Sequence, residues 1–92
     1  MRVNVFGLGY VGSVTAACLA EAGHEVIGVD IDEEKVAMIN SGASPVVEPG
    51  LGALVGEAVA ARRMRATIST PEAVRNAEMG LICVGTPGRA SG

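Results

Sequence analysis

Aromatic side chains are nearly missing from this chain: one Phe, one Tyr and no Trp in 92 residues. A core must therefore be assembled from Val, Ile, Leu, Ala and Met. The hydrophobic share of 49% supplies enough of them for one globular domain and no more. Basic residues are also scarce, with 7 Lys and Arg against 10 Asp and Glu and a net charge of −3. That balance speaks against a nucleic-acid partner held through its phosphates. No apolar run approaches the ~20 residues of a membrane-spanning helix. The N-terminus carries one Arg and enters a strand at once, unlike a secretory leader. The two cysteines, Cys18 and Cys83, lack metal-ligand spacing. The expectation is a reducing, cytoplasmic setting without disulfides.

What the chain has in quantity is glycine, 13 residues, and three of them form a pattern. The apolar run Val3-Asn4-Val5-Phe6 leads into Gly7-Leu8-Gly9-Tyr10-Val11-Gly12, and a helix-forming stretch follows at once. A G-x-G-x-x-G alone is a weak signal. Between a strand and a helix it acquires a mechanism. Gly7 permits the tight turn, Gly9 lets backbone approach a pyrophosphate, and Gly12 lets the helix lie close to the strand. The free N–H groups and positive dipole end of that helix then face the phosphates. A second apolar strand, Val26-Ile27-Gly28-Val29, ends in Asp30, 18 residues beyond Gly12. This is close to the ~20 expected of an acid that binds an adenosine ribose. Asp32 competes for that role. Asp30 is preferred because it terminates the strand, and Asp32 reads as the cap of the next helix, with Glu33 and Glu34 in its first turn.

The remainder alternates strand and helix. The helix after Gly9 is expected to turn Val11, Val14, Thr15, Cys18, Leu19 and Ala22 inward and to end at Gly23. His24 just beyond reads as solvated. The second helix runs from Asp32 to about Ser41, with Val36 and Ile39 inward. A loop over residues 43–50 holds Pro45 and Pro49. Leu51, Leu54, Val55, Ala58 and Val59 mark a third helix, and Glu48 is expected to cap it in preference to its other reading, a place near the cleft. Arg62, Arg63 and Arg65 read as complementing its C-terminus rather than as an anion site. A short third strand is expected at 66–69 and a brief helix capped by Thr70. A fourth strand at 79–84 reads as buried on both faces, followed by a turn at 85–87 and a loose tail. The architecture expected is α/β: a partial Rossmann-type parallel sheet of about four strands, order 3-2-1-4, with helices on both faces. Ligand belongs at the switch point between strands one and four.

Five segments carry a resemblance: Phe6-Gly7-Leu8-Gly9-Tyr10-Val11-Gly12, Gly23-His24-Glu25-Val26, Gly28-Val29-Asp30, Glu48-Pro49-Gly50-Leu51 and Cys83-Val84-Gly85-Thr86-Pro87. Together they resemble the N-terminal domain of the nucleotide-sugar 6-dehydrogenases, which act on UDP-glucose or GDP-mannose, and the 44–49 and 82–86 segments are closer to the GDP-mannose branch. The resemblance covers essentially all of residues 1–92. It implies NAD as cofactor and contacts to it from Gly7, Gly9, Tyr10, Val11, Gly12, Asp30, Lys35 and Thr86. It also implies oxidation of a sugar C6 alcohol to a carboxylate through a thiohemiacetal on a Cys. The family's catalytic Cys, Lys and Asn and its sugar-nucleotide domain fall later than residue 92, so a sugar nucleotide is expected as partner only with those domains. Cys18 and Cys83 read as core residues and not as nucleophiles. A stand-alone NAD(H)-binding module is the competing reading. A further expectation is a homodimer, or looser self-association, through strand four.

Overall fold

The computed structural model describes residues 1–75 and 77–83. Four strands and four helices alternate: β1 Arg2–Phe6, α1 Tyr10–Glu21, β2 Glu25–Val29, α2 Glu33–Asn40, α3 Leu51–Ala60, β3 Met64–Thr67, α4 Thr70–Arg75 and β4 Met79–Ile82. The strands are all parallel, in the order β3-β2-β1-β4. This is the Rossmann-type arrangement the strand–helix alternation dictates. Successive right-handed crossovers carry α1, α2 and α3 over one face of the sheet, and the step from β3 back past β1 carries α4 to the other.

The register explains the core. Val3 pairs with Val26, and Val26 with Met64; Val5 pairs with Gly28, and Gly28 with Ala66. These aligned residues share the face under α1, α2 and α3, where Val3, Val5, Leu8, Val26, Ile39, Leu51, Val55, Met64 and Ala66 form one buried cluster. Helix α1 meets this face with Gly12, Ser13, Ala16, Ala17 and Ala20. Of the sequence expectation of Val11, Val14, Thr15, Cys18, Leu19 and Ala22, Val14 and Leu19 do pack against the core, and the rest is corrected. Val11, Cys18 and Ala22 are exposed, and Val14, Thr15 and Leu19 are half-buried at the flanks. The cause is clearance: a helix that starts against the turn it follows lies too close for large side chains, so the small ones point inward. Cys18 is therefore a surface thiol, whereas Cys83 is half-buried and packs against the core.

Helix α1 ends in a Schellman arrangement, with Gly23 N–H donating to Ala20 O at 3.1 Å and His24 N–H to Leu19 O at 3.1 Å. His24 is half-buried rather than solvated. Arg63 Nε donates to Ala20 O at 2.9 Å, so this cation complements the end of α1 rather than of α3. Arg65 pairs with Glu72 at 3.0 Å. Strand β3 begins two residues earlier than expected, at Met64. Its outer edge is blunted by Asn40, whose amide donates to Ala66 O at 3.0 Å and accepts from Ala66 N–H at 2.8 Å, as a neighbouring strand would. The α4 cap is Ser69, whose Oγ accepts from Glu72 N–H at 3.3 Å, and not Thr70. Strand β4 is not buried on both faces: Met79 and Gly80 are exposed, and Ile82 is 76% exposed.

Candidate functional site

Strands β1 and β2 end side by side, and Gly7 turns the chain off β1. Its φ of 97° is one that favours glycine, and its N–H donates to Val29 O at 2.8 Å. Gly12 is required for a different reason. A Cβ there would lie 1.6 Å from the Gly7 carbonyl oxygen. Leu8, between the first two glycines, is fully buried in the core over Gly28, where a Cβ would come within 2.6 Å of the Leu8 side chain. The buried Ser13 hydroxyl donates to Leu8 O at 2.9 Å and ties the turn to α1 from inside. Sequence reasoning missed Ser13. Its only signal was a small polar residue just after the third glycine.

Gly9 differs from its neighbours. It is the N-cap of α1 with φ −73°, a conformation open to any residue, and a Cβ there would meet no atom of the described residues within 4 Å. The turn therefore does not need Gly9 for its own backbone conformation or for packing against the described residues. Among the described residues no side chain caps α1, and no acid stands in its first turn. The first closure is Ser13 N–H to Gly9 O, 2.9 Å. The N–H groups of Tyr10, Val11 and Gly12 thus precede the hydrogen-bonded ladder, at the positive end of the helix dipole. The Tyr10 and Val11 side chains are exposed. The Tyr10 hydroxyl donates to Glu48 Oε1 at 2.7 Å.

Asp30 follows β2 directly. Its Oδ2 accepts from Leu8 N–H at 2.7 Å and its Oδ1 from Asp32 N–H at 2.9 Å. Partial burial alone would push this carboxyl up, but the Leu8 and Asp32 N–H groups, the Lys35 ammonium and the Ile31 N–H outweigh it. The acid is held below the ordinary 3.8 and is an anion at neutral pH. Asp32 is the α2 cap, accepting from Glu34 N–H at 2.9 Å and Lys35 N–H at 3.4 Å. Lys35 thus lies in the first turn of α2 beside Asp30. Thr86 falls outside the described residues, as does the turn at 85–87.

Phe6, Gly7, Val29, Asp30, Ile31, Ile68 and Thr70 line a slot of about 320 Å³ at the C-terminal ends of the strands. Its rim is apolar, with Ile31 95% exposed and Ile68 half exposed. Sequence reasoning did not single out Ile31 or Ile68; an exposed apolar residue looks the same in sequence as a buried one. A larger cavity of about 600 Å³ lies at the opposite end of the sheet, bordered by Arg2, Glu25, Arg62 and Arg63. Ligands of open parallel sheets bind outside the carboxyl ends of the strands, and that end carries the uncapped α1 and the Asp30 carboxylate held by Leu8 and Asp32 N–H. The smaller slot is the candidate site. Among the described residues no group of three His, Cys, Asp or Glu could hold a metal ion, and no helix is long and apolar enough to cross a membrane.

The free N–H groups, the space above Gly9 and the fixed Asp30 anion fit a dinucleotide with two phosphates and a ribose diol. Comparison with known proteins agrees. Residues 1–92 match the UDP-glucose/GDP-mannose dehydrogenase family, NAD binding domain. The GDP-mannose 6-dehydrogenase of Azotobacter vinelandii is 54% identical over 92 residues, 100% of this chain and 21% of the relative. A UDP-glucose 6-dehydrogenase of Pseudomonas aeruginosa is 46% identical over 87 residues, 95% of this chain and 19% of the relative. The crystal structure of a ternary complex of GDP-mannose dehydrogenase from Pseudomonas aeruginosa superposes with a TM-score of 0.94 at 49% identity, covering 100% of this chain and 21% of that one. The chain thus spans about a fifth of the length of these relatives. It belongs to the UDP-glucose/GDP-mannose dehydrogenase family, and its residues form the NAD-binding domain of that family.

Proposed function

We propose that this chain supplies the NAD site of a nucleotide-sugar 6-dehydrogenase that oxidises the C6 alcohol of GDP-mannose, or of UDP-glucose, to a carboxylate. The observation that carries the site assignment is the pairing of an α1 N-terminus that no described side chain caps, with no described residue crowding Gly9, and the Asp30 carboxylate bonded to the adjoining Leu8 N–H. The N–H groups after Gly9, at Tyr10, Val11 and Gly12, would hold the pyrophosphate. Gly7 would shape the turn. Asp30 would accept from the adenosine ribose hydroxyls through lone pairs that Leu8 and Asp32 leave free. Lys35 would balance charge beside that ribose. The apolar rim of Ile31 and Ile68 would take the adenine face, and Thr86 is carried over as a contact from the resemblance alone. Bound NAD supplies a hydride acceptor; these residues bind and orient it. The preference for GDP-mannose rests on the fuller match of the GDP-mannose relatives, 48–54% identical over 92 residues, where the UDP-glucose relatives are 46% identical over 87 residues and 51% over 72.

The alternative is an NAD(H)-binding module without chemistry. Its support is the setting of the two thiols. Cys18 lies on the outer surface of α1, about 12 Å of helix rise from Tyr10. Cys83 is half-buried against the core. A polypeptide of residues 1–92 is therefore expected to bind NADH but to give no NADH from NAD and GDP-mannose or UDP-glucose, because chemistry needs a nucleophile and proton-transfer groups facing the substrate. Absorbance of NADH in a stopped assay checks this. Sustained turnover would promote one of the two thiols, and a longer polypeptide that also fails with both sugar nucleotides would favour the module.

The same polypeptide is expected to self-associate. Among the described residues β4 pairs only with β1, and Met79 and Ile82 are exposed along it. An apolar open edge is a template for another strand. Two copies joined across a two-fold axis would set β4 antiparallel to β4 and continue the sheet. Sedimentation equilibrium at about 10 µM, in the range where weak association shows, should report a dimer or larger species. A soluble monomer would remove β4 as an interface.

A further inference from the structure

We propose that the Tyr10 hydroxyl restrains the Glu48 carboxylate and keeps that anion off the phosphate-facing end of α1. Tyr10 and Glu48 together would then set how tightly the site takes a dinucleotide. This rests on the NAD reading of the site above.

Glu48 was expected to cap α3, and it does not. The N-cap is Gly50, with no side-chain bond to the helix, and only the Glu48 backbone carbonyl takes part, accepting from Leu51 N–H at 3.1 Å. The carboxylate instead reaches the first residue of α1 and accepts the Tyr10 hydroxyl at 2.7 Å. The segment that carries Glu48 is otherwise shaped from within. Ser44 Oγ donates to Val46 O at 2.6 Å and accepts from Val46 N–H at 3.1 Å, while Val47 at its crest is fully exposed. The half-buried Glu48, next to this crest, reaches the start of a helix that no described side chain caps and that has no acid in its first turn. Such an end attracts any nearby anion, and a carboxylate of the chain itself competes there with phosphate. One hydroxyl commits the carboxylate elsewhere. Tyr10 is thus a positioning residue through its side chain, apart from what its N–H does. The bond leaves a mark on the phenol: the hydrogen bond to Glu48, and then the Glu48 charge, raise Tyr10 above its ordinary 10.0.

The chain suits a direct test, because Tyr10 is its one tyrosine and it has no tryptophan. Tyrosinate absorbance therefore reports this contact alone. In the unaltered protein the phenol should titrate above 10.0, and in Glu48→Gln it should fall back toward that value. Titration with NADH, followed by its fluorescence, then separates the roles. Tyr10→Phe should weaken binding about three- to tenfold, the scale of one lost hydrogen bond. Glu48→Gln added to Tyr10→Phe should restore most of that loss, since the freed anion is gone. A Tyr10→Phe protein that binds NADH as tightly as the unaltered one overturns the proposal. So does a double variant that stays as weak as Tyr10→Phe, which would mean that the ring hydroxyl matters only structurally. Absence of NADH binding by the unaltered protein overturns the NAD reading, and this proposal with it.

Discussion

Replacing Gly9 with Val is expected to abolish NADH binding while leaving the fold in place. The two halves of that result come from different observations. The fold should survive because a Cβ at Gly9 meets no described residue within 4 Å and the residue has φ −73°, which a branched residue can adopt. Binding should fail because the added isopropyl group would fill the space over the N–H groups that precede the α1 ladder. Two charge-assisted hydrogen bonds to phosphate, each worth about 1.5–3 kcal/mol, would be lost or lengthened. Affinity should then fall at least about 100-fold. Gly12→Ala makes the contrast. Its Cβ would fall 1.6 Å from the Gly7 carbonyl oxygen, so the α1–β1 packing itself must open. Circular dichroism and thermal melting should be near normal for Gly9→Val and degraded for Gly12→Ala. A folded Gly9→Val chain that binds NADH undiminished would sink the phosphate-loop assignment.

The contrast between these two glycines also shows what the sequence could and could not disclose. The motif names both positions, but it cannot say that one is empty toward solvent and the other pressed against backbone. The strand order was legible because strand–helix alternation and right-handed crossovers leave few options. The inward face of α1 was not, because large apolar residues at helical spacing imitate a core face. The true face, Gly12-Ser13-Ala16-Ala17-Ala20, is chosen by how near the helix must lie to β1 and β2. Strand ends shifted for a similar reason. Met64 and Arg65 look like a helix terminus in sequence but pair with Val26 and Ile27 across the sheet. At the site, Asp32 was readable as a cap from local chemistry alone, and it is one. The ring hydroxyl of Tyr10 and the carboxylate of Glu48 lie 38 positions apart. No local pattern brings them together; only the packing of α3 beside α1 does.

The last expected result concerns Asp30, and its origin is electrostatic. The unaltered chain should bind NADH at least about 100-fold more tightly than NADPH. Asp30 is held as an anion by the Leu8 and Asp32 N–H groups, so it cannot shed its charge cheaply when a second anion approaches. A unit charge about 4 Å from another costs up to about 4 kcal/mol near a protein surface, and salt screening reduces that to roughly the discrimination stated. No Arg stands at Ile31 or Asp32 to receive a 2′-phosphate, and the nearby Lys35 charge acts on the carboxylate without forming a close pair among the described residues. Asp30→Asn should narrow the NADH-to-NADPH ratio toward unity. It should do so chiefly by weakening NADH, for a second reason. An amide has one acceptor oxygen, so it can keep the Leu8 bond or the Asp32 bond but not both. Turned the wrong way, it sets an NH₂ against a backbone N–H. The glycine turn would lose its tie to β2 as well as its ribose acceptor, and the pyrophosphate site would loosen with it. Fluorescence titration of both cofactors against both proteins measures the four affinities. NADPH bound as tightly as NADH by the unaltered chain, or a ratio unmoved by Asp30→Asn, would take the ribose role away from Asp30 and leave it only as the brace of the turn.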